Sequence, residues 1–184
     1  MSARQYRYVL ALDPSGNFKE GRGITGWCLL DTETNKVAKF GYISADMYPN
    51  QYAYWDAHIT LIDSLAGFAP AIVIEDYLLY SNRATNQINS RFETPQLIGI
   101  MKYECYKRGI MTHLQTAVSV KKRWSNQILV AKGYLKHKGR GYCIGTTLVS
   151  DHIQDALRHA VHFATFGKEI NYGKNQEGRR ESYN

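Results

Sequence analysis

The sequence predicts an α/β fold: a mixed five-stranded sheet, three strands antiparallel and two parallel, flanked by helices. Two observations carry that expectation. Tyr8-Val9-Leu10-Ala11-Leu12 and Ala71-Ile72-Val73-Ile74 are short, unbroken apolar runs, as strands covered on both faces require. The chain order then gives three strand-like runs, followed by helix, strand, helix, strand and helices, the pattern of a sheet with helices packed over it.

The first run ends in Asp13-Pro14-Ser15-Gly16, where Pro14 and Gly16 stop the strand. A polar loop with Lys19, Glu20 and Arg22 continues to Gly23. Thr25 to Leu30 is the second strand; after a turn at Asp31 to Asn35, Lys36 to Ser44 is the third, an antiparallel meander. Beyond Pro49, Tyr52, Trp55, Ile59, Ile62 and Leu65 recur at steps of three and four, which predicts a helix with that stripe buried. The fourth strand ends at Glu75. Thr94-Pro95 predicts the next helix, with Thr94 as N-cap and Leu97, Ile100, Met101 and Cys105 as its inner face; Gly109 stops it. Ile110 to Leu114 is the fifth strand. One helix is expected across Val120 to Leu135, then a flexible basic loop, then a last helix from Asp151 to Phe166. From Gly167 the chain is polar and rich in Gly, Asn and charge. The expectation is one domain over residues 1–167 and a disordered tail over 168–184, with no internal repeat and no linker.

At 184 residues the chain is long enough to bury a core without disulfides or a structural metal. Lys and Arg outnumber Asp and Glu by 23 to 16, a net charge of +7 that favours a polyanionic partner, although a solvated basic surface has the same composition. Cys28, Cys105 and Cys143 are odd in number and widely spaced, which argues against a disulfide framework or a zinc site and suits a reducing compartment. Met1 to Arg7 has no signal-peptide pattern and no apolar run approaches membrane-spanning length, so a soluble intracellular protein with no membrane partner is expected.

Asp13 and Glu75 each follow a buried strand directly, and adjacent parallel strands would deliver both to one edge of the sheet. The last helix offers Asp151, His152 and Asp155, whose offsets of three and four put His152 with Asp155, and Asp151 with Asp155, at neighbouring positions. Clustered acids repel one another and call for a cation. Hard divalent ions such as magnesium take oxygen ligands, and a pair of them can activate water and steady the leaving oxygen of a phosphodiester. Each residue also has a plainer reading. Asp13 taken alone reads better as the start of a turn, and Glu75-Asp76 reads equally as a solvated strand end. Asp151 reads better as the N-cap of the last helix, with Gln154 completing a capping box. His152 can be a hydrogen-bonded surface histidine, and His159 more so. Asp155 resists such a reading because Ile153, Ala156, Leu157 and Ala160 surround it. The joint order and placement, rather than any one acid, point to a metal site.

Leu10-Ala11-Leu12-Asp13-Pro14-Ser15-Gly16 with Thr25-Gly26-Trp27, then Ile72-Val73-Ile74-Glu75, then His152-Ile153-Gln154-Asp155-Ala156-Leu157, resemble in kind and order the RuvC family of Holliday junction resolvases, within the ribonuclease H-like superfamily. Val120-Lys121-Lys122 resembles that family's basic segment, and the resemblance spans Val9 to Ala160. It implies a ribonuclease H-like sheet and magnesium-dependent incision of four-way DNA junctions by a homodimer. Two metal ions are implied, with manganese as a plausible substitute and no organic cofactor. Asp13, Glu75, His152 and Asp155 would be the catalytic and metal-binding residues, Asp151 a further candidate, and Lys121 and Lys122 phosphate contacts. The loop between Asp13 and Thr25 is longer than the connection of bacterial members, which points to a diverged, phage-type branch acting in the cytoplasm of a bacterium or infected host. The family's base-separating aromatic falls here on Leu78, with Tyr77 and Tyr80 nearby as DNA contacts.

Charge supplies the remaining DNA candidates. Arg123 and Lys132 belong to the dense basic stretches Lys121 to Arg123 and Lys132 to Arg140; Arg83 and Arg91 lie in the aperiodic loop Ser81 to Glu93. Trp124, Tyr134 and Tyr142 could stack on bases, but core packing explains Trp124 and Tyr134 at least as well. Two rival functions share these residues: a related nuclease for forks, flaps or RNA–DNA hybrids, and a junction-binding module without catalysis.

Overall fold

The computed structural model describes residues 6–77 and 92–167. Its centre is a five-stranded sheet built from β1 (Tyr8–Asp13), β2 (Ile24–Asp31), β3 (Lys36–Ser44), β4 (Ala71–Asp76) and β5 (Thr112–Thr116), in the order β3-β2-β1-β4-β5. β1, β2 and β3 pair antiparallel, while β4 joins β1 and β5 in parallel. This is the ribonuclease H-like sheet the sequence predicts. The helices are α1 (Gln51–Ser64), α2 (Glu93–Lys107), α3 (Ala117–Arg123), α4 (Asn126–Ala131) and α5 (Asp151–Phe166).

The unbroken apolar runs of β1 and β4 are explained by two cores. Val9, Ala11 and Val73 point to one face and pack against Ile153, Ala156, Leu157 and Ala160 of α5. Leu10, Leu12, Ile72 and Ile74 point to the other, against α1 and α2. Burying each Val, Leu or Ile among them stabilises the fold by roughly 1.5–3 kcal/mol. The same period of two decides where the acids go. Asp13 continues the row of Val9 and Ala11, and Glu75 continues the row of Val73, so both carboxylates leave the sheet on the α5 face.

Four expectations are corrected. α1 turns Tyr54, His58 and Ile62 inward, while Tyr52 is 72% exposed. Ile62 and Leu65 are buried, and Trp55 and Ile59 pack on the same core, as expected. Tyr52 is replaced by two polar side chains that are fully satisfied, since the Tyr54 hydroxyl donates to Ser15 O at 2.6 Å and His58 sits between Tyr54 O at 2.7 Å and Thr25 Oγ1 at 2.8 Å. α2 begins without a side-chain cap, after Phe92 at φ 51°. The Thr94 hydroxyl instead accepts the Gly16 N–H at 2.9 Å, pinning the loop after β1 to the start of α2. The expected helix across Val120 to Leu135 is two short helices, broken at Trp124–Ser125, where the Ser125 hydroxyl caps α4. The expected basic loop is a second, three-stranded antiparallel sheet of β6 (Lys136–Lys138), β7 (Gly141–Ile144) and β8 (Thr147–Val149). The tail from residue 168 lies outside the described residues.

The His58 network has a measurable consequence. Nδ1 donates to the Tyr54 carbonyl, leaving Nε2 to accept from Thr25, and burial pushes the imidazole down to about 4. The unfolded chain takes up a proton near pH 6.5 that the folded chain refuses. Stability is therefore fully present above pH 6.5 and lost as pH falls toward 4, by about 3 kcal/mol from this group. Denaturant titrations across that window are expected to show a steeper decline for the wild type than for His58→Gln; equal slopes would refute the assignment.

Candidate active site

Three elements converge at the C-terminal ends of β1 and β4. The parallel register pairs Leu12 with Ile74, so Asp13 and Glu75 stand side by side at the sheet edge. α5 crosses this edge with His152, Asp155 and His159 at successive steps of three and four, one stripe of the helix. It can approach closely because Gly26, paired with Asp13, has no side chain: a Cβ there would lie 2.2 Å from the backbone C and O of His152.

Each residue of the stripe meets one part of the site. His152 Nδ1 donates to Asp13 Oδ2 at 2.9 Å, and His159 Nε2 donates to Glu75 Oε2 at 2.8 Å. Asp155 lies between them, held by Lys121 Nζ at 2.8 Å and by the Arg158 guanidinium. Arg158 also donates to the Trp124 carbonyl at 2.9 Å and to Asn126 Oδ1, so α5, α3 and α4 are fixed to one another at the acid.

The electrostatics follow from this crowding. The Asp13 carboxyl is pushed up from its ordinary range, first by burial and then by the charges of Glu75 and Asp155, with the His152 hydrogen bond only partly opposing them. His152 is raised by its hydrogen bond to Asp13, against burial. Burial pulls the Lys121 ammonium down, but the hydrogen bond to Asp155 and the three carboxylate charges together outweigh it and its pKa rises. The site is thus short of positive charge around Asp13 and has recruited a lysine. Among the described residues no three His, Cys, Asp or Glu side chains, as arranged, form a ready-made ion cage. The donor set nevertheless suits a hard divalent cation: three oxygen-bearing acids that repel one another at a partly exposed edge.

Asp13, Glu75, His152 and Asp155 therefore lie at one sheet edge. Asp151 is not a member. It is exposed in the first turn of α5 and accepts from Gln154 Nε2 at 3.3 Å. It is not the N-cap either: Ser150 takes that place, its hydroxyl accepting from Ile153 N. Three contributors escape the sequence reading. His159 is fully buried, not a surface histidine; its position four residues after Asp155, on the same stripe, was the available signal. Arg158, three residues after Asp155, carried a similar one. Gln115 pairs with Glu75 across the sheet and contacts His159 Nδ1 at 2.9 Å, and nothing in its sequence context marks it.

Of the DNA candidates, Lys121 faces the acids while Lys122 and Arg123 are exposed on α3, Arg123 lying over the Phe166 ring. Lys132 lies over Trp124. Trp124 is a core residue at 5% exposure, its indole N–H directed to His162, which removes it as a stacking platform. Tyr134 and Tyr142 pack against the α5-side core and Tyr77 against the other. Leu78, Tyr80, Arg83 and Arg91 lie outside the described residues. No helix among the described residues is long and apolar enough to cross a membrane.

Neither a family model nor a curated protein matches the sequence. Solved structures do match the fold. The chain is similar to Thermus thermophilus RuvC in complex with Holliday junction substrate, with a TM-score of 0.62 at 14% identity over 88% of this chain and 95% of that one. A second Thermus thermophilus RuvC structure matches with a TM-score of 0.56 at 14% identity, over 87% and 96% of the two chains. At that identity the likeness is one of fold.

Proposed function

We propose that this chain is a magnesium-dependent endonuclease that resolves four-way DNA junctions, a diverged RuvC-type enzyme working as a homodimer with one cut per subunit. The observation that carries this reading is the convergence of Asp13, Glu75 and Asp155 beneath a lysine at one sheet edge. The shared fold supports it, since one of the matching structures is RuvC with a Holliday junction.

Asp13, Glu75 and Asp155 would hold the metal, with His152 beside Asp13. Bound there, magnesium supplies a Lewis acid that makes water a better nucleophile and offsets charge on the leaving oxygen. The chain's own residues do the rest. His159 and Gln115 hold Glu75 in place, and Arg158 fixes Asp155. His152, half-exposed and made more basic by Asp13, can carry a proton to or from the reacting oxygens. Lys121 places fixed positive charge where a phosphate would lie against the acids.

The test is incubation with magnesium and a synthetic four-way junction, beside a fork and an RNA–DNA hybrid of matched sequence. Paired symmetric nicks in the junction, absent with chelator, are the expected result. Junction binding with no nicking would indicate a non-catalytic module, and preferential cutting of the hybrid or fork would overturn the junction assignment.

A further inference from the structure

The second sheet has no role in the acid site, yet its charge and placement are unusual. From Cys105 to Ser150 the chain has no Asp or Glu at all. Lys136, Lys138 and Arg140 lie in that stretch, all exposed on the β6–β7 hairpin, and among the described residues none of them meets a carboxylate. Lys138 Nζ reaches only the Thr146 carbonyl, at 3.3 Å. Lys136 and Lys138 are two residues apart on one strand and share a face. Gly139, at φ 60°, and Gly141 flank Arg140, so the backbone of the turn is bare enough for close approach.

The hairpin is also rigidly tied to the active-site helix. Ile144 and Val149 are buried against the α5-side core. Gln154, itself buried, donates to the Val149 carbonyl at 3.1 Å and accepts from Asn126 at 2.9 Å. Lys138 pairs with Gly141, and the next residue, Tyr142, pairs with Val149, directly before the Ser150 cap of α5. The cationic tip is therefore two strand spacings, roughly 10 Å, from the start of the helix that bears His152.

We infer that the β6–β7 hairpin is a second phosphate-binding element, gripping the backbone of one duplex arm beside the phosphate held at Asp13 and Asp155. This rests on the reading of the acids as the cutting site. Contacts from these side chains to phosphate oxygens carry no sequence information, so the grip is independent of sequence. It adds affinity and sets the angle of the arm relative to α5.

Equilibrium binding of a four-way junction, measured without divalent ions between 50 and 200 mM salt, tests the inference. Each lost phosphate contact lowers the slope of log affinity against log salt by about 0.9. The Lys136→Gln/Lys138→Gln/Arg140→Gln variant is expected to be shallower than wild type by about 2 to 3, Arg140→Gln alone by about 1, and equally so on two junctions of unrelated sequence. Lys36→Gln/Lys39→Gln, exposed on β3 at the far edge of the main sheet, is the control and should keep the wild-type slope. Uncharged methylphosphonate linkages, moved stepwise along the arm through the first several base pairs from the cut, should at one position weaken the wild type and leave the triple variant unmoved. A triple variant with the wild-type slope, a β3 control that falls as far, or indifference to the methylphosphonates would each overturn the hairpin's role. Wild-type nicking of the junction alongside such a result would leave the proposed function standing; a flat salt response of the wild type would remove both.

Discussion

Asp13→Asn is expected to abolish magnesium-dependent incision and, in metal-free protein, to raise the melting temperature. The two effects share one cause. Burial and the charges of Glu75 and Asp155 hold the Asp13 carboxyl above its ordinary range, so at neutral pH its ionised form opposes folding. The sign is definite: a folded-state pKa above the unfolded value means stability from this group at low pH that is lost as pH rises through it. An isosteric amide escapes that penalty but removes a charge the cation would need. Loss of an outer partner at a metal site typically costs 10–100-fold, so removal of a direct ligand should exceed about 100-fold. Asp155→Asn should lose activity as completely but with the opposite change in stability. Its carboxylate compensates Lys121 and Arg158, and Arg158 is only 14% exposed; without it a largely buried guanidinium lacks its counter-charge. Scanning fluorimetry with and without magnesium checks both halves. The wild type should be stabilised by magnesium, and Asp13→Asn should be stabilised without it and indifferent to it. A lower melting temperature for metal-free Asp13→Asn, or turnover retained in both variants, would end the metal-site reading.

The parts of this molecule that could be read from sequence are those where one physical rule acts alone. Strands covered on both faces must be apolar throughout, which marked β1 and β4 and, with them, the acids at their tips. The parallel pairing of those strands then left Asp13 and Glu75 little choice but to meet. What stayed hidden depends on partners remote in the chain. Tyr54 and His58 join the inner face of α1 because Ser15 and Thr25 are there to satisfy them, and no helical period can show that. Thr94 is chemically a good N-cap, but the Gly16 N–H takes its hydroxyl. The small sheet of β6, β7 and β8 is short, basic and rich in glycine, so it carries the composition of a loop; only docking of Ile144 and Val149 on the α5-side core gives it a fixed structure. His159 reads as a surface residue until the sheet places Glu75 and Gln115 against its two nitrogens.

Gly26→Ala should be among the most damaging single methyl groups added to this protein, because it falls against the helix that carries His152 and Asp155. Gly26 has no left-handed backbone to explain it; the constraint is space. The added carbon would sit 2.2 Å from His152 C and O and 2.6 Å from Ile153 N, all backbone atoms of the first turn of α5 that cannot rotate away. Relief requires the helix to lift from β2, and lifting it draws His152 off Asp13 and Asp155 off Lys121 together, since His152 and Asp155 lie one turn apart on the same rigid helix. Overpacking of this kind costs about 1–3 kcal/mol or more, and an ångström of displacement at a catalytic constellation costs about 100-fold in rate. Gly99→Ala provides the contrast: it is exposed on α2 with nothing within 4 Å of the new carbon, and should gain up to about 1 kcal/mol from helix propensity alone. Denaturation midpoints for the two variants should therefore move in opposite directions, with junction nicking lost only in Gly26→Ala. A Gly26→Ala protein as stable and as active as wild type would mean that α5 does not press on β2 as the geometry requires, and the placement of His152 and Asp155 against Asp13 and Glu75 would have to be abandoned with it.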